Sequence, residues 1–212
     1  MSGQQGGAVT MQKWDLFAYL SSFVTIVLAI ALTDMIQSTH RLLRARHRVK
    51  WDILTPLLAT WVFLWVLSEF FILWLDARYE TITYFGLLSL MAVPTVAALM
   101  AYAALPDEIP EEGLDLEQFY CQNRRYLVLL LALYNLCDIA RTVIYAFRYD
   151  GMNEFAPWIP SLIRWTASVA CLALLYFVRA RWAQLAGLVI LFAGLAVPAM
   201  GGWWEIKATV GL

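Results

Sequence analysis

Residues 15–38 read DLFAYLSSFVTIVLAIALTDMIQS, a nearly unbroken apolar stretch that is long enough to cross a bilayer as one helix. A spanning helix needs about 20 apolar residues, and its backbone must be helical because lipid offers no hydrogen-bond partners to exposed amides. Five later segments have the same character. The sequence therefore predicts an all-α integral membrane protein with six transmembrane helices, at residues 15–38, 52–75, 82–105, 126–148, 157–178 and 183–204.

The composition is unlike that of an ordinary soluble domain. Hydrophobic residues make up 62% of the chain and charged residues 15%, whereas a soluble domain is about 25% charged. Nucleic-acid binding is not expected, because the arginine run at 41–48 is a short loop between two spans. The three cysteines form no CxxC pair, which argues against a disulfide framework. The first apolar stretch is too long for a signal-peptide core, so we expect it to be a retained span.

This pattern divides the chain into four regions. They are a disordered Gly/Gln-rich tail at residues 1–13, a first three-helix half at 14–105, an acidic cytoplasmic linker at 106–124 and a second three-helix half at 125–212. Short-loop lysine and arginine concentrate on the cytoplasmic side of a membrane. Both termini are therefore predicted to lie outside the cytoplasm, and we expect the membrane to be the inner membrane of a bacterium. The basic residues of loops one, three and five are Arg41, Arg44, Arg46, Arg48, Lys50, Arg124, Arg125, Arg179 and Arg181.

Rare residue types recur when the chain is shifted by 104 positions. Three helices in each half is an odd number, so the halves of such a repeat have opposite orientations in the membrane. Inverted 3+3 repeats are found in transporters, with the binding site where the halves meet. The alternative is a duplicated scaffold in which nothing moves. The matching residues are Asp34 with Asp138, Pro56 with Pro160, Trp61 with Trp165, and Ala92-Val93-Pro94 with Ala196-Val197-Pro198.

Ionisable residues inside the predicted spans give the candidate site. A charge in hydrocarbon costs kilocalories unless it is paired or hydrated, so such residues are rare and usually functional. Side chains at i, i+3, i+4 and i+7 share a helix face, which adds their polar neighbours to the set. The predicted ion-binding or relay residues are Asp34, Gln37, Glu69, Asn135, Asp138, Arg141 and Arg164.

Depth separates these residues into two groups. The first group lies in the outer half of the bilayer or near its middle and contains Glu69, Asp138, Arg141 and Arg164. The second lies in the inner half and contains Asp34, Gln37 and Arg41. Purely structural roles stay open for both groups. Asp138 and Arg141 can neutralise each other, and Arg164 can reach the headgroups. Asp34 can lie near the inner interface, where water beside the adjoining basic loop hydrates it.

Two prolines lie within predicted spans. Pro94 is in span three and Pro198 in span six. Proline frees a backbone carbonyl one turn earlier and bends the helix. The two positions are predicted to be hinges or, alternatively, fixed bends.

The sequence lacks the motifs of common enzyme classes and any metal-ligand spacing, so no cofactor and no metal are expected. We expect a small secondary transporter or ion-translocating protein with its site between the two halves, acting on a small ion or small molecule. A second hypothesis is a non-catalytic accessory or assembly subunit of a larger membrane complex. A third is an intramembrane lipid-modifying enzyme. The expected partners are the lipid bilayer and either a second copy of the chain or another membrane subunit.

Overall fold

A computed structural model describes residues 13–76, 84–145 and 159–200. These residues form a bundle of six helices, which confirms the all-α fold. The helices are α1 (Lys13–Arg44), α2 (Leu54–Asp76), α3 (Tyr84–Ala104), α4 (Leu116–Tyr145), α5 (Ile159–Phe177) and α6 (Arg181–Met200). A single 3-10 turn (Arg46–Arg48) and two short strands, β1 (Val49–Lys50) and β2 (Leu114–Asp115), complete the described part.

The helix bounds agree with the predicted spans except at two places. Helix α1 continues past residue 38 to Arg44, and α4 begins at Leu116, well before residue 126. The end of the predicted linker is therefore helical. Asp115 explains the early start, because its carboxylate accepts hydrogen bonds from the amides of Glu117 (2.9 Å) and Gln118 (3.2 Å) and so caps the helix. Of the predicted tail, Lys13 begins α1 and the rest lies outside the described residues.

One helix within the described ranges is long and apolar enough to cross a membrane, over Ser21–Arg44. Only 28% of its apolar window is buried, whereas the core helix of a soluble protein is mostly buried. Shorter apolar helical stretches occur at Leu54–Phe70, Leu90–Ala104, Trp165–Phe177 and Arg181–Gly194. This one helix is weak evidence for membrane association, and the crossing of a membrane by all six helices remains a prediction.

Helix α3 lies at the centre of the bundle and packs against α1, α2 and α4. Its buried face carries small side chains, among them Ala97, Ala101 and Ala104, which are at most 1% exposed. Small residues allow helix backbones to approach closely. Larger side chains fill the remaining interior, with Trp61, Leu28 and Leu188 at most 2% exposed.

Helix packing does not support the inverted repeat. A two-fold exchange would make α1, α2 and α3 equivalent to α4, α5 and α6. Helix α1 packs on α3, yet within the described residues α4 makes no comparable contact with α6. Helix α3 packs extensively on α4, whereas α6 lies against α5 and α2. Among the described residues of the second half, no helix therefore takes the central position that α3 has in the first.

Three connections meet at one end of the bundle, which we call the connection end (residues 45–53, 105–115 and 178–180). Strand β1 pairs in parallel with β2, and Asp52 forms an ion pair with Arg181. The Thr55 hydroxyl donates to the carbonyl of Leu116 over 2.9 Å, which joins the first turns of α2 and α4. This is the arrangement predicted for six helices that alternate in direction.

Gly113 is the one residue of the described chain with a positive φ, at +101°. A Cβ atom built there would lie 2.8 Å from the carbonyl oxygen of Arg48. Glycine is therefore required twice, by its backbone angle and by the close approach of the two strands.

The Lys50–Asp115 ion pair (2.7 Å) gives the strand pair a pH-dependent stability. The hydrogen bond from Lys50 lowers the pKa of Asp115 below its ordinary 3.8, and the same bond raises the pKa of Lys50 above 10.5. The Asp115 contribution is thus present above pH 3.8 and is lost as the pH falls through the lowered pKa. The Lys50 contribution is present below pH 10.5 and is lost as the pH rises through the raised pKa.

We expect Asp115→Asn to flatten the acid limb of a melting-temperature profile by a small amount, because Lys50 is exposed and Asp115 is only partly buried. Asparagine still caps α4, so the helix start is preserved. Asp107→Asn, at an exposed position of the same connection, is the matched control and should retain the wild-type limb. An unchanged acid limb in Asp115→Asn would contradict the assignment.

Candidate functional site

Helices α2 and α4 run parallel from the connection end and place the buried polar residues side by side. The Thr55–Leu116 hydrogen bond fixes their relative register. At 1.5 Å per residue, Glu69 lies about 21 Å from that bond and Tyr134 about 27 Å from it. The two side chains meet, because the Tyr134 hydroxyl donates to the Glu69 carboxylate.

The Glu69–Tyr134 pair is buried, since each residue is 2% exposed. Asp138 and Arg141 follow Tyr134 on the same face of α4, at i+4 and i+7. Glu69, Asp138 and Arg141 all lie close enough to Tyr134 for their charges to interact electrostatically with its hydroxyl. Three of the predicted site residues are thus brought into one cluster, around a tyrosine.

Asp138 and Arg141 form an ion pair of 2.8 Å between Oδ1 and Nη2. Both side chains are 11% exposed. A buried pair of opposite charges avoids most of the cost of isolated charges but still loses its hydration. The predicted mutual neutralisation therefore occurs, and it occurs next to Glu69 and Tyr134.

Aromatic rings form one wall of this cluster. Trp61 stacks on Trp65 with ring centroids 5.3 Å apart, and Trp65 meets Tyr134 edge-to-face at 5.3 Å. Pairs with these geometries are favourable beyond their buried area. The stacked rings extend from Tyr134 toward the connection end. Their contact with Tyr134 fixes the orientation of the ring whose hydroxyl bonds Glu69.

The remaining predicted residues have other surroundings. The Asn135 amide donates to the carbonyl of Leu131 in its own helix (2.8 Å). On α1, Arg41 lies 3.9 Å from Asp34 and 3.0 Å from the Ser38 hydroxyl, and Gln37 is exposed. The predicted inner group therefore lies along α1, nearer the connection end than Glu69.

The last three predicted positions, Pro94, Pro198 and Arg164, all lie within helices. Pro94 is buried inside α3, which continues as a helix on both sides of it. Arg164 lies in α5 and Pro198 in α6, but their side chains fall outside the described set. Their predicted roles stay predictions.

Sequence reasoning missed a polar network near the connection end. The Tyr120 hydroxyl donates to Gln184 Oε1 (2.6 Å), and burial raises the pKa of Tyr120 to about 12. The Gln184 amide donates to the carbonyls of Leu175 (3.1 Å) and Val178. Arg124 donates to the Val178 carbonyl over 3.0 Å. Together these side chains satisfy the last carbonyls of α5, where a cation is favourable.

No protein-family model, curated protein or solved structure matches this chain. Function resides in the chemistry of a site rather than in the fold.

The Glu69–Tyr134 pair combines a carboxylate and a phenol joined by a hydrogen bond, next to a second carboxylate paired with a guanidinium. Such a set is suited to holding or passing a proton. Within the described residues, no group of three or more His, Cys, Asp or Glu side chains is placed to hold a metal ion.

Proposed function

We propose that all six helices cross a membrane. This is supported by large apolar side chains that point outward on every helix. A soluble monomer rarely exposes such extended apolar surface, whereas lipid covers it at no cost. The exposed residues on the six helices include Phe23, Ile26, Ile30, Leu64, Leu99, Leu129, Leu133, Leu136, Val169, Val189 and Ile190.

We further propose that the protein translocates ions and that the ion is the proton. The observation that carries this proposal is the buried Glu69 carboxylate bonded to Tyr134. With a hydrocarbon core of about 30 Å, a position about 21 Å from the connection end lies inside the membrane. A carboxylate at this depth is costly, and such residues mark proton relays and ion paths.

Close contact within the cluster favours a proton over a larger substrate. Tyr134 bonds Glu69 directly, and Arg141 bonds Asp138 directly. A site for a small organic molecule is typically a cavity of about 300 Å³ or more. A proton needs only a chain of hydrogen-bonding groups.

The test is proton flux into liposomes that contain the purified protein and a pH-sensitive dye, driven by a potassium diffusion potential. We expect wild-type protein to acidify the lumen and Glu69→Gln to lower the initial rate on the order of 10-fold or more, because a positioned proton-transfer group is typically worth 10²–10⁴-fold. Tyr134→Phe, which removes the hydroxyl and keeps the ring, should give a smaller loss.

Glu117→Gln is the matched control, because Glu117 is exposed at the start of α4. It should retain the wild-type rate. Melting temperature and elution volume establish that each variant is folded. A folded Glu69→Gln protein with full flux rules out the proposed relay.

A specific observation favours the accessory subunit as the second candidate. Asp34 has a side chain that is 26% exposed, and Gln37 is exposed beside Ile36, which is 58% exposed. Polar groups on the lipid face of a span are costly, so a second membrane protein or a second copy would cover them. This candidate predicts a stable co-purifying membrane subunit and no flux from the isolated chain.

A further inference from the structure

Four buried nitrogen atoms have no hydrogen-bond partner among the described residues. They are Nε of Arg124 and Nε1 of Trp61, Trp65 and Trp165. All four are donors. A buried donor without an acceptor is unfavourable, because it has lost its hydrogen bond to water. The group that would satisfy them is therefore a hydrogen-bond acceptor.

Two of the residues that carry these donors line the same small cavity, between α2, α3, α4, α5 and α6. Arg124 is 8% exposed and Trp61 is 2% exposed, and both belong to its wall. The register set by Thr55 and Leu116 places Trp61 about 9 Å and Arg124 about 12 Å from the connection end, so the two residues lie at similar heights. The rest of the wall is mainly aliphatic, but it also contains Tyr120 and Met100. The aliphatic members include Leu58, Val62, Leu127, Leu131 and Leu188.

The size of the cavity limits what it can hold. Its volume is about 20 Å³, which admits one water-sized sphere. The simplest occupants of so small a space are one water molecule or one monatomic anion.

Charge distinguishes these two candidates. The other nitrogens of Arg124 bond the Val178 carbonyl (3.0 Å) and the Tyr176 carbonyl (3.4 Å), which carry only partial negative charge. Within the described part of the chain, no carboxylate lies within ion-pair distance of Arg124. A buried cation that lacks a counter-ion is strongly unfavourable. A water molecule could bond the Tyr120 hydroxyl of the wall, but it carries no charge to offset the guanidinium.

We propose that this cavity is a halide site, in which one chloride ion accepts hydrogen bonds from Arg124 Nε and Trp61 Nε1. The anion neutralises the buried guanidinium and satisfies both donors at once. The site is separate from Glu69, so it is independent of the proposed proton translocation. The stacked rings of Trp61 and Trp65 connect its wall to Tyr134.

The experiment is a halide titration of the purified protein in lipid nanodiscs, with sodium gluconate keeping the ionic strength constant. We expect chloride and bromide to raise the melting temperature logarithmically above the dissociation constant, by about 4 °C at ten times that constant. Trp61→Phe keeps the ring and removes the N–H, so it should weaken the apparent halide affinity by about tenfold. Trp51→Phe, at an exposed indole of the connection end, is the matched control and should behave as wild type.

Because Arg124 also caps α5, a variant at that position can fail to fold, and crystals of the wild-type chain grown with bromide supply an independent measurement. Anomalous density between Arg124 and Trp61 supports the proposal. An ordered oxygen there that bromide does not replace, a cavity without density, or the same halide shift in wild type and Trp61→Phe overturns it. Failure of the proton-flux experiment leaves these results unaffected.

Discussion

Trp61→Ala lowers the free energy of unfolding by about 3 kcal/mol, the lower end of the range for truncating a buried aromatic side chain. Trp61 is 2% exposed, stacks on Trp65 and contributes to the wall of the proposed halide cavity. The lower end is expected because, in the proposed membrane-spanning arrangement, lipid would solvate the side chain in the unfolded protein and loss of packing would be the main cost. The variant also enlarges a cavity that neighbouring side chains cannot fill without moving.

Reversible unfolding in mixed micelles, as a function of denaturing-detergent fraction, measures this change. Trp51→Ala is the control, because Trp51 is 47% exposed. It should change stability by less than about 1 kcal/mol. Equal losses in both variants would show that Trp61 does not hold the helices together.

Gly113→Val is expected to destabilise the connection end by about 2–4 kcal/mol, from the positive φ and from the clash with a backbone oxygen. The φ of +101° is unfavourable for any residue with a Cβ, and the Arg48 carbonyl is only 2.8 Å from that atom. Backbone atoms on both sides cannot rotate away as a side chain would. The substitution therefore separates β1 from β2 or distorts the turn before α4.

The same unfolding titration measures the loss, and amide hydrogen exchange at residues 48–50 and 113–115 localises it. Gly194→Ala provides the matched control, because among the described residues no atom beyond its own helical turn and chain neighbours lies within 4 Å of the added Cβ, and the position is helical. It should be neutral or stabilising by up to about 1 kcal/mol. A Gly113→Val protein as stable as Gly194→Ala would show that the strand pair does not restrain this end.

The helices themselves could be predicted from the sequence because apolar runs end where polar residues begin. Helix α2 at Leu54–Asp76 and α3 at Tyr84–Ala104 closely match the apolar segments 52–75 and 82–105. Helix α4 begins earlier than its apolar run because its first turns are amphipathic and belong to the connection end. Asp115, one residue before that helix, was the local signal for its start.

The candidate site could be predicted only in part. Glu69, Asp138 and Arg141 are identified by their rarity in apolar sequence, and the i,i+3 pairing of the last two follows from helix geometry. Tyr134 was available from the i, i+4, i+7 series with Asp138 and Arg141. Its contact with Glu69, however, joins residues 65 positions apart, and no local pattern encodes such a contact. The same holds for Tyr120 and Gln184, which are 64 positions apart.

The ties between β1 and β2, between Asp52 and Arg181, and between Thr55 and Leu116 make the connection end a fulcrum. A tilt of α2 against α4 by only about 5° about that point displaces the Glu69 level by about 2 Å, given its distance of about 21 Å. Such a displacement is enough to break the Glu69–Tyr134 hydrogen bond while every tie at the fulcrum stays intact. Leverage of this kind lets a small angular fluctuation act on the buried carboxylate with little cost to the loops.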